Sequence, residues 1–295
     1  HARREKAGGA QAAHMSAPAA AQDLYAAWEA ARARGLNNRA AAIEACVPEA
    51  QLIASGCGRG VTRLAGDFAA LLAALPALGE IKSVVRNACA VQERTGRVET
   101  VHAGAGGETV VRGDTFVLTA ALAAWSRAFA LTEQGKYGVK RSLQWFTRAG
   151  VSAGKIFLTA GSDAARYEAL VARHAAADQQ AREAGIEPEA SPAPSARAAA
   201  AGWLAGFLFE ASRLRVQVEV TVANPAASQV TRKAFERVKR STRGGWINVL
   251  DEGLDLHLHE AQIARVSVTP EGEGAALHWL DDDAQVALTT RGAAH

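Results

Sequence analysis

"LQWF" (143–146) and "LHWL" (277–280) set a tryptophan among apolar residues at two points 134 residues apart. The pair is not isolated. "RNACAVQ" (86–92) sits against "ANPAASQ" (223–229), which aligns Asn87 with Asn224 and Gln92 with Gln229 at an offset of 137. "FVLT" (116–119) sits against "LDLH" (254–257) at 138. Three matches in one order at nearly one offset predict a duplicated module, because a period this long is a domain rather than a solenoid unit.

Working outward, residues 23–80 read as helices. "DLYAAWEAARARG" starts on Asp23 as a cap and stops at Gly35, with Leu24 and Trp28 on one face. Pro48 suits a first helical turn, and Asp67 suits the cap of "GDFAALLAALPALG". From residue 81 β-branched residues take over, with a turn expected at Thr95–Gly96 and a short helix at "AAWSRAFAL". Residues 163–184 return to a helical pattern. "AGIEPEASPAPSARAAAAG" then reads as a linker, carrying Pro188, Pro192 and Pro194 without periodicity. The second half is mostly strands, and the alternation of "RVQVEVTV" fits a sheet with one covered face.

The expected architecture is therefore α+β: a tandem repeat in which two large antiparallel sheets pack together with flanking helices. Residues 1–22 are expected to be a disordered tail. Residues 23–180 form the first repeat, 181–200 the linker, and 201–295 a second, truncated repeat. About 58 helical residues precede the first copy's strands, whereas only "AAAAGWLAGFLFEASRL" precedes the second copy's. That shortening leaves sheet surface uncovered and suggests a homodimer.

Composition is that of an ordinary globular chain, with 295 residues, 49% hydrophobic, 21% charged and a net charge of +3. The charge excess does not by itself call for nucleic acid. Three cysteines without CxxC spacing argue against a disulfide framework or a zinc site and for reduced thiols in a cytoplasmic setting. No stretch reaches the roughly 18 apolar residues of a membrane span. The N-terminus does not read as a secretory signal, and with Met15 the only methionine, residues 1–14 read as preceding the natural start.

"EIKSVVRNACAVQERTGRVE", "AFALTEQGKYGVKRSLQWF" and "GGWINVLDEGLDLHLHEAQIA" resemble the HemS/ChuS/HmuS family of cytoplasmic haem-trafficking and haem-degrading proteins. The resemblance spans most of 23–175 and then 216–291. It implies a duplicated α/β fold with haem beside the paired sheets, and partners such as a haem oxygenase or a reductase. Haem demands an apolar slot, an axial donor to iron and cations for its propionates. The family's axial histidine comes from the helical part of the second copy. Residues 176–256 hold no histidine, so no axial ligand carries over. The family's propionate-binding arginine of "LDLRLF" falls here on Thr119, its Lys-Pro-Thr is replaced by "VSVTPEGEG", and its late arginine matches Arg291.

The remaining candidates for haem are His257, His259, His102, Arg291 and Arg240. His257 and His259 lie two apart on a strand and face one way, so either could ligate haem iron; equally, both could belong to a strand's polar face. His102 precedes "AGAGG" as a loop ligand or a plain turn residue. His278 should point away from the core if Leu277 and Trp279 point in. Arg240 belongs to the basic run "TRKAFERVKRSTR" (231–243), which reads as a propionate rim, a nucleic-acid patch or a solvated strand; with only Phe235 interleaved, nucleic acid is a poor fit. "DDD" (281–283) reads as a hairpin turn. Two functions follow. One is a haem-binding protein of iron acquisition and haem trafficking, with hemin degradation left open. The other is a non-catalytic relative that has lost haem and serves as a protein- or nucleic-acid-interaction scaffold.

Overall fold

The computed structural model describes residues 21–135, 138–183, 185–186, 201–242, 244–271, 274–281 and 285–292. The expected tail lies outside this set up to residue 20, as does most of the expected linker. Three helices open the chain: α1 (Ala21–Ala33), α2 (Asn38–Glu44) and α3 (Glu49–Ala54). The chain then runs β1 (Val61–Leu64), α4 (Phe68–Ala73), β2 (Gly79–Arg86), β3 (Ala90–Ala103), β4 (Thr109–Gly113), β5 (Val117–Ala120), β6 (Trp125–Gly135), β7 (Gly138–Thr147), β8 (Ser152–Ser162) and α5 (Ala164–His174). After α6 (Ala201–Arg213) come β9 (Gln217–Asn224), β10 (Ala227–Ala234), β11 (Val238–Arg240), β12 (Trp246–Asp251), β13 (Leu254–His259), β14 (Arg265–Glu271), β15 (Gly274–Leu280) and β16 (Val286–Gly292). The fold is α+β, and every named strand pair is antiparallel.

Two layers arise from how the strands exchange partners. β3 is long enough to serve both: its first part lies between β2 and β13, and its second part pairs with β4. Ala90 sits opposite Leu258, while Ala227 sits opposite Ala120. Each half thus lends an edge strand to the other. One layer runs β1-β6-β7-β8-β2-β3-β13-β12, and the other runs β4-β5-β10-β9-β16-β15-β14.

Between the layers lies the main core, with Ile81, Val85, Leu143, Trp145, Val220, Leu256, Trp279 and Leu288 all buried. The alternation of β13 shows why the sequence folds this way: Leu254, Leu256 and Leu258 turn inward, and Asp255, His257 and His259 turn outward. A second apolar cluster lies on the other face of the first layer, where Leu24, Trp28, Leu52 and Ile53 of α1 and α3 meet Phe129, Leu131 and Phe146. Trp28 Nε1 donates to Asn38 Oδ1 at 3.0 Å, tying α1 to α2.

Turns at the centre lock the halves. Asn87, between β2 and β3, donates through Nδ2 to the carbonyls of Ala223 and Ala287, at 2.9 and 2.7 Å. Asn224, the last residue of β9, donates to those of Arg86 and Ala153, at 3.0 and 3.1 Å. Each Oδ1 accepts two backbone N–H groups of its own turn.

Several local expectations need correction. Asp23 lies inside α1 rather than capping it, whereas Asp67 does cap α4, accepting from Ala70 N at 3.0 Å. Residues 61–64 form β1 instead of helix, because they pair along the edge of β6. No turn occurs at Thr95–Gly96. The strand continues, and Gly96 leaves room where Asp114 and Thr115 close on it. "AAWSRAFAL" is mostly β6, since Trp125, Ala128 and Ala130 are needed on the inner face opposite β7. The helical pattern of 163–184 ends at His174. There β1 captures the chain through Ala65 N to His174 O and Ala176 N to Arg63 O. Glu183 then holds the following extended stretch through Arg63 and Arg127. His174 is half-buried at this junction. Among the described residues no helix is long and apolar enough to cross a membrane.

Candidate functional site

β13 carries His257 and His259 on the outer face of the first layer. His257 Nδ1 lies 2.8 Å from Asn248 Oδ1. An amide oxygen accepts, so Nδ1 is the donor in this contact, and Nε2 is the ring nitrogen left for another partner. His259 packs edge-on to Trp246, with ring centroids 4.8 Å apart, and its buried Nδ1 has no hydrogen-bond partner. Its backbone N–H donates to Cys89 O at 2.7 Å. Arg240 of β11 stands nearby and pairs with Glu260, at 3.1 Å. These three side chains share one edge of the first layer.

Arg291 and His102 lie elsewhere. Arg291 sits on β16 in the second layer, where Glu271 and Glu219 both oppose it, at 2.8 and 3.4 Å. Hydrogen bonding to Glu271 raises its pKa above the ordinary guanidinium value and holds Glu271 below the ordinary carboxylate value. His102 is exposed in the far part of β3, opposite Val110. Thr119 is on β5, opposite Ser228. His278 does point away from the core, as its alternation with Trp279 requires, and Nδ1 lies 3.0 Å from Thr289 Oγ1. In the basic run, Arg232 pairs with Glu219 and Lys233 reaches Glu252 O. Arg243, and Asp282 and Asp283 of the acidic triplet, lie outside the described residues. Asp281 closes its turn by accepting Gln285 N at 2.8 Å.

The main cavity lies where α2 and α3 meet the central turns, and has a volume of about 830 Å³. Its walls include Ala42, Ile43, Val47, Pro48, Val151, Pro225, Val286 and Ala287. The backbone builds this shape. Ala50 N donates to Gly150 O at 3.1 Å, pinning α3 to the β7–β8 turn. Gly150 has φ +72, and a Cβ there would stand 2.8 Å from Pro48 Cβ, so glycine is required.

Two arginines enter this cavity, Arg39 from α2 and Arg86 from the end of β2. Among the described residues neither makes an ion pair with a carboxylate, and the buried Arg86 Nε has no hydrogen-bond partner. Burial, with a smaller contribution from the positive charge of Arg39, brings the Arg86 guanidinium down to about 10. Glu49 and Asp281 are carboxylates of the same wall; Lys155 holds Oε1 of Glu49, while its buried Oε2 has no hydrogen-bond partner. No histidine lines the cavity, although Cys89, bonded to His259 through the backbone, does.

A row links the cavity to the histidines. Arg86 pairs with Val91, and Val91 pairs with His257, so all three project from the same face. Two strand spacings separate Arg86 from His257, roughly 10 Å. Sequence reasoning quoted Arg86 without singling it out and passed over Arg39. They lie far apart in the chain, and no local pattern marks either.

The family model for the haemin-degrading HemS.ChuX domain matches residues 46–174. The hemin transport protein HemS of Yersinia enterocolitica is 29% identical over 265 residues, covering 76% of each chain. Among solved structures, holo-PhuS, a haem-binding protein from Pseudomonas aeruginosa, is 28% identical and covers 94% of each chain with a TM-score of 0.84. ChuS from Escherichia coli O157:H7 shares the fold at 22% identity and a TM-score of 0.80, over 94% of this chain and 95% of its own. The domain match in the first half and the likeness that continues through the second agree with the phrases quoted from both halves: along most of its length the chain is similar to the HemS/ChuS/HmuS family.

Proposed function

We propose that this protein binds haem and serves haem trafficking in iron acquisition in the cytoplasm. The observation that carries this reading is the likeness to the haem-binding PhuS across nearly the whole chain, at 28% identity. The residues fit the group in chemical terms. The cavity is within the usual ligand range of about 300–1,000 Å³ and mostly apolar, which suits a flat macrocycle. For iron, His257 and His259 are the proposed donors, and the Asn248 contact leaves Nε2 of His257 able to serve. Arg240 and His102 stand as further contacts to test. Bound haem would supply an iron centre for ligand and redox chemistry. The chain's own part is to hold the ring, exclude water along the apolar wall and orient the imidazole.

The second-half strands are proposed to be a copy of the first, with modules at 23–180 and 201–295. The reciprocal bonds of Asn87 and Asn224 support this, as do the matching exchanges of β3 with β13 and of β5 with β10. A homodimer is proposed from the exposed apolar residues of and just after α6, among them Trp203 and Leu214. A haem oxygenase or a reductase is the proposed partner.

Titrating the purified chain with hemin is expected to shift the Soret band and saturate near one equivalent. Absence of saturable binding overturns the proposal. His257→Ala and His259→Ala, made singly, should show which imidazole sets the Soret position. Adding ascorbate to the loaded protein tests degradation through loss of that band.

A further inference from the structure

Residues 175–183, which follow α5, lie along the outer edge of β1 and stand in for a missing strand. β1 has β6 on one side and ends the first layer on the other. On that outer side Ala176 N donates to Arg63 O at 2.9 Å, and Ala65 N donates to His174 O at 2.7 Å. Gln179 completes the imitation with its side chain. Its Oε1 accepts from Arg63 N and its Nε2 donates to Arg63 O, both at 2.9 Å. A bare strand edge is a template for pairing with another chain, and this stretch covers it.

What holds the stretch in place is polar. Glu183 pairs with Arg63 and, at 2.6 Å, with Arg127, and the three side chains are at most 15% exposed. Arg63 also donates to Arg182 O at 2.6 Å. Residues 175–183 carry no apolar side chain larger than alanine, so almost no hydrophobic burial fastens them. α5, by contrast, is anchored by the buried Tyr167 and Leu170. Segments with few buried apolar contacts open locally at a lower free energy than the core beside them. Cys57 lies next to this stretch. It is 5% exposed and forms a backbone bridge to Val61 at the start of β1. Burial pushes its thiol up; Arg63 lowers it, and Glu183 and Asp178 raise it further. Two of the acids that face the thiol thus belong to the covering stretch.

We propose that residues 175–183 form a strap that opens and closes over β1 as a unit, with the Glu183 contacts as its latch, and that closure keeps both the strand edge and Cys57 out of reach of other molecules. Opening exposes the two together. The edge becomes able to pair with a second copy of the chain. The thiol loses its cover and two acidic neighbours while Arg63 stays beside it, the setting in which cysteine reacts. The device lies wholly in the first half and is independent of the proposed haem binding.

The three cysteines supply the test. Cys46 is exposed, Cys57 is buried beside the strap, and Cys89 is buried at the central turns. The full chain is treated with iodoacetamide, an uncharged probe, and each site is followed by mass spectrometry. In wild type Cys46 should react first and Cys57 well before Cys89, although both of the latter are almost fully buried. Glu183→Gln weakens the latch and should speed Cys57 about tenfold or more, leaving Cys89 at its wild-type rate. Gln179→Ala, which removes only the imitation strand contact, should speed Cys57 several-fold. Hydrogen exchange at the Arg63 and Ala65 amides should quicken in the same variants and by a similar factor. If Cys57 reacts no faster than Cys89 in wild type, the strap does not open and the proposal fails, whatever the variants do. It fails equally if the variants leave Cys57 unchanged, or if they speed Cys57 and Cys89 alike, since that reports loosening of the whole fold.

Discussion

Arg86 keeps its charge against its surroundings. Burial disfavours the cation and Arg39 adds repulsion, so the folded value of about 10 lies below the ordinary guanidinium value. The sign follows. A base with a lowered folded pKa costs stability at every pH below that value, and the cost fades only as pH rises above about 10. Near neutrality the cost is present in full. Arg86→Met should therefore raise unfolding stability by about 1 kcal/mol and Tm by about 2–4 °C. A thermal melt checks this; a lower Tm would mean that Arg86 supports the fold instead. Asn248→Leu is the matching test at His257. Without its acceptor the imidazole is no longer held in one tautomer, and hemin affinity should fall about tenfold if His257 ligates iron. The shared face of His257 and His259 was legible from strand alternation alone. The Arg39–Arg86 pair was not, because only the docking of α2 beside the end of β2 brings the two together.

At the scale of elements, the turns carrying Asn87 and Asn224 do most to join the halves. Each amide satisfies four backbone groups, two across the join and two in its own turn. Asn87→Ala or Asn224→Ala should cost about 2–4 kcal/mol, since buried carbonyls and N–H groups lose partners that alanine cannot replace. Denaturant unfolding measures it, and a change below about 0.5 kcal/mol would contradict the bonding described. The aligned asparagines, glutamines and tryptophans made the paired strands readable. Elements whose identity depends on a distant neighbour were not readable in the same way. β1 is four residues taken from a helical-looking stretch by the edge of β6, and "AAWSRAFAL" has helical composition but lies opposite β7. Gly96 resembles a turn former, yet its missing side chain makes room for Asp114 and Thr115.

For the whole molecule, neither half completes its own layer. β3 needs β13 and β5 needs β10, both supplied from beyond α6. A fragment of residues 21–186 should therefore not remain a folded monomer. It is expected to dimerise, β3 of one copy against β5 of the other, or to aggregate through these edges. Light scattering on the fragment decides; a stable folded monomer would show that the exchange is dispensable. The same exchange bears on synthesis. While the ribosome is still making the second half, two open strand edges wait for residues up to 259. At ~5–20 residues per second that wait lasts roughly 10–30 s. During that interval a nascent chain can pair with another chain on the same messenger before its own partner strands exist. Slower decoding between α5 and β13 should thus lower the yield of correctly closed protein more than the same delay placed after β16.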